Sequence, residues 1–488
     1  MSFSDKFLEI MDSTVRPKCE PHIVAKATNP NTGTVTTLTW DAKDIQSLSF
    51  KRTIDPVGSK LPTMELQWTE VYFGNVSVGN VPQKYKSAST YMEIDLSFRQ
   101  YLGFYNTWKS LKSQTWKQVK QMTWKRVKTD PVYETVEMPK LFLSAVPTAE
   151  GNKIKWIAKD ALAFLTNTCK KLFQDPRNLN NLKNISLPFY NPVIYLLVNS
   201  RAQFSKFPEI FSYLTNTISY FDDFDKSFKQ EKPIIFEGNT NDEIRKYFAT
   251  KNKFMVFGKN RIEVRDISLY HIPGRVIPLS LQYGLPTFET QTRASRVAFK
   301  RYSLVYDSTY QLKAQTMQPY GEKLLLRYDF NDIGVATFLN NTSHDPAYGD
   351  TDRAFAIYDY SDGDEPPTLN VINVKKIVND ISFTRDDIIG DTFSENNSLY
   401  TADENDVTRY EKILDWYSGH EVIKTTTPAI FDIELGESAY VETPLIGADG
   451  KAYEPNSILL EQTLTYSGAI KCQNIFKSGM SEVPENDS

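Results

Sequence analysis

The chain has 488 residues, with 56 basic against 60 acidic side chains and a net charge of -4. That length exceeds what one hydrophobic core normally serves, so two to four domains are expected, and the slight acidic excess offers no general attraction to nucleic acid or to an anionic membrane. Three cysteines, Cys19, Cys169 and Cys472, are too scattered and too few for a zinc cluster or a disulfide framework, which points to reduced synthesis in a cytosol.

The first residues, MSFSDKFLEIMDS, carry acidic groups where a signal peptide needs basic ones and lack a long apolar run, so no export signal is read. Phe3 to Ile10 forms a short amphipathic segment, a surface helix in preference to a docking arm. Asn29 to Gly33 is a dense turn signal before the alternating run Gly33 to Trp40.

The stretch Asp44 to Trp68 organises the chain around it. Leu48, Phe50 and Ile54 share one parity, with Arg52 the exception, and Met64, Leu66 and Trp68 share one after the gap. Two half-buried strands are predicted, joined by Asp55-Pro-Val-Gly58, where proline presets one dihedral and glycine accepts the conformation that ends the turn. Tyr91 to Phe98 is a further strand, with Met92, Ile94, Leu96 and Phe98 on one face.

An eight-residue repeat then sets Trp108, Trp116 and Trp124 each between a threonine and a lysine. Indole faces beside basic groups suit a carbohydrate or nucleic-acid surface, whereas aromatics packed inward with lysines left in water is the plainer and preferred reading. Glu134 to Leu143 and Lys153 to Ala158 read as strands. From Ala158 to Phe173, Leu162, Leu165, Cys169, Leu172 and Phe173 fall at helical spacing, with Cys169 read as a core thiol.

The succession DIQSLSFKRTIDPVGSKLPTMEL, YMEIDLSF and EMPKLFLSAVPTAEGNKIKWIAKDALAFL resembles the N-terminal half of bacteriophage and prophage tail hub proteins, also called tail-associated or baseplate hub proteins. In that resemblance an edge strand precedes a helix opening on A-x-D-x-L, here Ala158, Asp160 and Leu162. Ile430 to Tyr440 and the run Ile458 to Ala469, with its L-x-Y-x-G-A close, resemble the family's closing barrel. The resemblance covers about two-thirds of the chain and rests on diffuse structural patterns. It implies a mainly β fold, two β-barrel-like hub domains flanking a mixed α/β region. It also implies a homotrimer that closes the end of a tail tube, bound to tube or distal tail protein, tip or receptor-binding proteins and tape-measure protein. DNA would pass through the lumen without specific binding. The implied location is the virion tail tip, assembled in the host cytoplasm.

In the middle, Asn191 to Tyr220 looks helical with Pro208 interrupting it, and Asn241 to Thr250 forms a short helix. Phe254 to Phe257 and Ile262 to Asp266 form a hairpin through Gly258-Lys-Asn260. Arg293 to Tyr306 and Glu322 to Tyr328 are strands. The domain expectation is residues 1–170, an N-terminal barrel-like domain; 171–290, mixed; 291–410, β-rich with acidic loops; and 411–488, a C-terminal barrel-like domain.

Asp359, Asp362 and Asp364 lie close in sequence but lack the twelve-residue spacing of a calcium loop, so an exposed acidic loop is read. Asn340 and Asn396 open glycosylation sequons that a cytosolic product would not use. No GxSxG, HExxH or GxxxxGK[ST] occurs, the four histidines, His22, His271, His344 and His420, are scattered, and pairs such as Asp222 and Asp223 name no cleft. No catalytic, cofactor or metal residue is therefore expected, and no membrane span, since Ile194 to Val198 is far too short. Some hub proteins carry a peptidoglycan-degrading domain; after the closing strand only the polar GMSEVPENDS is read, so none is expected here. The structural hub is the primary reading, a carbohydrate or receptor-binding tip protein the alternative, and a glycosidase or other enzyme the third.

Overall fold

The computed structural model describes residues 3–13, 17–28, 35–71, 92–104, 131–145, 147–168, 171–173, 208–218, 234–236, 238–258, 261–266, 274–290, 293–312, 337–338, 353–359, 368–386, 390–395, 407–417, 421–446 and 455–478. Thr115, Lys117, Lys120, Val193, Leu196, Leu197 and Ser200 are described singly. The class is mainly β, with large antiparallel sheets and shorter helical segments, as the sequence implied.

Helix α1 (Asp5–Asp12) starts where the Ser4 hydroxyl accepts from Phe7 N at 3.2 Å, and it buries Phe7, Ile10 and Met11. It is therefore a docked surface helix. The next strands are β1 (Cys19–Thr28), β2 (Val35–Asp41), β3 (Ile45–Thr53), β4 (Thr63–Val71), β5 (Glu93–Phe104), β6 (Pro131–Glu137), β7 (Leu141–Leu143), β8 (Thr148–Glu150) and β9 (Lys153–Lys159). Alternation sends Leu48, Phe50, Met64, Leu66, Met92, Ile94, Leu96 and Phe98 into one core.

This sheet curls tightly. Trp40 of β2 meets Trp68 and Trp156, which face each other across the β4–β9 ladder, with ring centroids 5.3, 4.9 and 5.5 Å apart. The Trp40 indole N–H donates to the buried Glu70 carboxylate at 2.9 Å. No described sheet closes into a barrel. The turn Ala42–Asp44 joins β2 to β3, but β3 already has a partner on each side, so β2 is left as an edge.

The predicted helix over 158–173 is also replaced. Asp160 accepts from Met64 N and Ala163 N, both at 2.9 Å, which turns the chain into a single 3-10 turn at Leu162–Phe164. Strand β10 (Lys171–Phe173) comes after it and pairs with β11 (Ile234–Phe236). Leu162 and Leu165 are buried as the stripe required, while Asn167 and Thr168 spend their backbone bonding on the segment around Asn239 and Thr240. Helix α2 (Pro208–Ile218) begins at the interrupting proline, where a missing N–H costs nothing. Helix α3 (Thr240–Thr250) and the hairpin of β12 (Lys253–Phe257) and β13 (Ile262–Asp266) match the sequence reading.

Next come β14 (Val276–Ile277), β15 (Thr287–Thr290), β16 (Ala294–Leu312), β17 (Thr337–Phe338), β18 (Arg353–Asp359), β19 (Thr368–Thr384) and β20 (Asp391–Glu395). Strands β16 to β20 form a five-stranded sheet in the order β17-β18-β19-β16-β20. Helix α4 (Val407–Tyr417), which the sequence reading missed, stacks Tyr410 on Phe299 at 3.8 Å and on Phe383 at 4.8 Å.

The last strands are β21 (Glu421–Thr427), β22 (Ser438–Val441), β23 (Asn456–Tyr466) and β24 (Ile470–Ser478). Of the run Ile430 to Tyr440, only the part from Ser438 is strand, in β22. A shift in register between Leu459 and Glu461 divides β23: the part before it pairs with β22, and Glu461–Tyr466 pairs with β3. The two ends of the chain thereby share one 15-stranded sheet, whose main line is β15-β21-β24-β23-β3-β4-β9-β7-β5-β1-β2.

Candidate functional site

The side chains on the outer face of the long sheet alternate with those in the cores. Polar and charged residues occupy it, and opposite charges meet across neighbouring strands. Lys159 of β9 faces Glu65 of β4 at 3.6 Å, Lys51 of β3 meets Glu461 of β23 at 2.8 Å, and Lys424 of β21 pairs with Glu289 of β15. Such exposed pairs contribute at most about 1 kcal/mol each, so their effect is to keep a broad face hydrated and its charges matched.

Two grooves cross this face. One, of about 410 Å³, is lined by Ser49, Lys51, Glu65, Gln67, Lys159 and Thr463, with Asp160 beside it. The other, of about 390 Å³, is lined by Tyr283, Leu285, Lys424, Glu461 and Gln473. The Lys51–Glu461 pair separates them, one partner lining each groove. Burial raises the Asp160 carboxyl to about 6, against the pull of the Met64 and Ala163 N–H groups. Both of its oxygens hold backbone, which makes it a structural clamp.

Behind the face, at the seam between the chain ends, runs a polar chain that is buried at Gln462, Asn474 and Thr427 and half-buried at Arg52. The Arg52 guanidinium donates to Gln462 Oε1 at 3.1 and 2.7 Å. Gln462 Nε2 donates to Ile430 O at 3.1 Å and to Asn474 Oδ1 at 3.3 Å, and Asn474 Nδ2 donates to Thr427 Oγ1 at 2.9 Å. Four strands, β3, β23, β24 and β21, are thus tied through one network. Arg52 broke the apolar parity of its strand for this reason, and burial lowers its proton affinity.

The Asp55–Gly58 turn lies at the same junction. Gly58 N donates to Asp55 O at 2.9 Å, and Gly58 holds φ at +70°, a conformation glycine adopts without strain. Arg245 of α3 donates to Gly58 O at 2.7 Å and Arg409 of α4 to Val57 O at 3.5 Å. Burial pushes the Asp55 carboxyl up. It lowers the ammonium of Lys477, which lies 4.4 Å from the Trp416 ring and 5.0 Å from that of Tyr417, to about 8.

The residues singled out in the sequence fall elsewhere. Trp108, Trp116 and Trp124 lie outside the described residues, as do Cys169, Asp222, Asp223, His271, Asn340, His344, Asp362, Asp364, Asn396 and His420. Lys117 and Lys120, within the tryptophan repeat, are helical and exposed. Asp359 ends β18. His22 Nδ1 lies 2.8 Å from Asp41 Oδ1 on the β1–β2 ladder, and Cys472 is buried with its Sγ donating to Asn474. Among the described residues, no three His, Cys, Asp or Glu side chains gather as a metal would require, and no helix is long and apolar enough to cross a membrane. Sequence reasoning missed Gln462 and Asn474, whose only signal was two polar residues at inward parity on β23 and β24.

No protein-family model matches the chain, and no curated protein does. Solved structures resemble it. A 43 kDa tail protein of prophage MuSo2 from Shewanella oneidensis has 8% identity and a TM-score of 0.43, covering 94% of this chain and 98% of its own. A tail protein from Neisseria meningitidis MC58 has 6% identity and a TM-score of 0.39, covering 95% and 97%. A Francisella PdpA–VgrG complex has 12% identity and a TM-score of 0.40, covering 99% of this chain and 62% of that one. The similar structures are tail proteins and a PdpA–VgrG complex, and no residue role passes from them to this chain.

Proposed function

We propose that this chain is a structural tail hub of a bacteriophage or phage-like particle, closing the distal end of the tail tube and anchoring tip proteins. One observation carries the reading: β3 and β23 join the two ends of the chain into a single sheet, whose outer face pairs its charges across strands. A broad wall of this kind suits assembly, and its polar groups are spent on holding backbone and neighbouring strands. The role is structural, not enzymatic. The particle would hold three copies in a ring, with tube or distal tail protein, tape-measure protein and tip or receptor-binding proteins as neighbours. A net charge of -4 agrees with a lumen that lets DNA pass without holding its phosphates. The test is mass photometry of the protein alone and with its tail-tube neighbour, followed by negative-stain imaging. A ring at three times the 56.0 kDa chain mass is expected. A monomer under both conditions, or tight glycan binding without assembly, overturns the hub reading.

A further inference from the structure

The two polar grooves on the outer face are joined by one row of side chains. Register sets Thr426 of β21 opposite Gln473 of β24, Gln473 opposite Thr463 of β23 and Thr463 opposite Lys51 of β3. Lys51 in turn stands opposite Glu65 of β4, and Glu65 opposite Lys159 of β9. Thr426 and Gln473 line one groove, and the remaining four line the other. Six strands spaced by about 4.8 Å make the row about 24 Å long, the reach of an extended polymer. The grooves, of about 410 and 390 Å³, each fall near the lower end of ligand-site volumes, about 300 to 1,000 Å³.

Chemistry selects the occupant. Lys51 pairs with Glu461 and Lys159 with Glu65, so the row and its partners carry no net charge to draw an anionic polymer. A nucleic-acid strand would also need aromatic platforms for its bases, and the row holds none. A peptide laid across the strands would meet hydroxyls, an amide and ion pairs in place of apolar pockets. What the row offers is hydrogen-bond donors and acceptors in close order. Gln473 is exposed and Thr426 and Thr463 are half-buried, so hydroxyl and amide groups stand beside the charged pairs.

At the β21 end the groove is bordered by Tyr283, which is 55% exposed and held in place where its N–H donates to Thr426 O at 2.7 Å. Its side chain presents an apolar ring with a hydroxyl at one end. A sugar ring matches both features, having a C–H face to lie on the tyrosine and a rim of hydroxyls for the threonines, the glutamine and the paired charges. We propose that this row binds an uncharged oligosaccharide, with one end stacked on Tyr283 and the chain crossing the strands through both grooves. The site stands on the face alone and is independent of the hub reading.

Isothermal titration of the whole chain with cellohexaose, maltohexaose and N-acetylchitohexaose tests it, with oligothymidylate as the charged comparison. At least one hexasaccharide should bind. Tyr283→Ala should weaken that binding about tenfold and Gln473→Ala about fivefold, while Tyr283→Phe, which keeps the ring, should stay close to wild type. Val35→Ala, exposed on β2 and away from the row, should leave it unchanged. Tyr283 and Gln473 are both exposed, so their variants should melt with the wild type. Absence of binding by all three sugars at millimolar concentration, or tighter binding of oligothymidylate than of any of them, overturns the proposal. Saccharide binding that Tyr283→Ala and Gln473→Ala leave intact overturns it too, because the sugar then sits elsewhere. Mass photometry of the same samples reads assembly separately: a ring that binds no saccharide removes this site and leaves the hub, and a monomer that binds saccharide does the reverse.

Discussion

At the scale of single residues, the sheet is held by a few side chains whose surroundings fix their energies. Trp68 is fully buried between Trp40 and Trp156, so Trp68→Ala should cost about 3 to 5 kcal/mol in a denaturant melt. A loss below about 1 kcal/mol would mean that the cluster is not the core. Asp160 gives a pH signature. Its carboxyl rises from 3.8 to about 6 on folding, so its contribution to stability is full below about pH 4 and lost as the pH climbs through 6. A shift of about two units is on the order of 3 kcal/mol. Urea melts of wild type and Asp160→Asn should therefore diverge with pH, the variant gaining on the wild type by roughly 2 to 3 kcal/mol between pH 4 and pH 7. A difference independent of pH would show Asp160 to be solvated.

At the scale of elements, Arg275 ties α1 to the chain's far end. Its guanidinium donates to Met11 O at 2.8 Å, pairs with Asp12 at 3.1 Å and meets Asp432, itself mostly buried. Arg275→Ala should leave Asp432 buried without its partner and cost about 3 to 5 kcal/mol, whereas removing both charges with Arg275→Met and Asp432→Leu should recover much of it. Hydrogen exchange of residues 5–12 should quicken in the single variant, and unchanged protection there would unseat the tie. Elements of this kind were legible unevenly. Strands with strict alternation, such as Met64–Trp68 and Met92–Phe98, could be read from parity alone. The 158–173 segment could not, because its apolar stripe is real while Asp160 and Asn167 divert its backbone bonds to distant residues. Helix α4 was hidden for the opposite reason: its apolar residues Tyr410, Ile413 and Leu414 come after a long polar run that drew the reading toward a loop.

At the scale of the whole molecule, the two ends of the chain share one sheet. The register that pairs Phe50 with Leu464 and Leu48 with Tyr466 involves residues more than four hundred positions apart, so no local pattern could reveal it. Only Arg52, polar at an inward position, hinted that something lay opposite it. The N-terminal core takes Leu464, Tyr466, Ile470, Cys472 and Phe431 from the last part of the chain, with the Phe431 ring tilted against Phe98 at 5.3 Å. Residues 1–170 expressed alone should then lack one wall of their core and leave Arg52 without Gln462, so cooperative unfolding should be absent or strongly weakened. Adding residues 421–478 as a separate chain should restore part of it, because β23 would again supply the free edge of β3 with a partner. A sharp, stable transition for 1–170 by itself would show that the N-terminal unit stands without β23, and that the shared sheet is a contact between two finished domains.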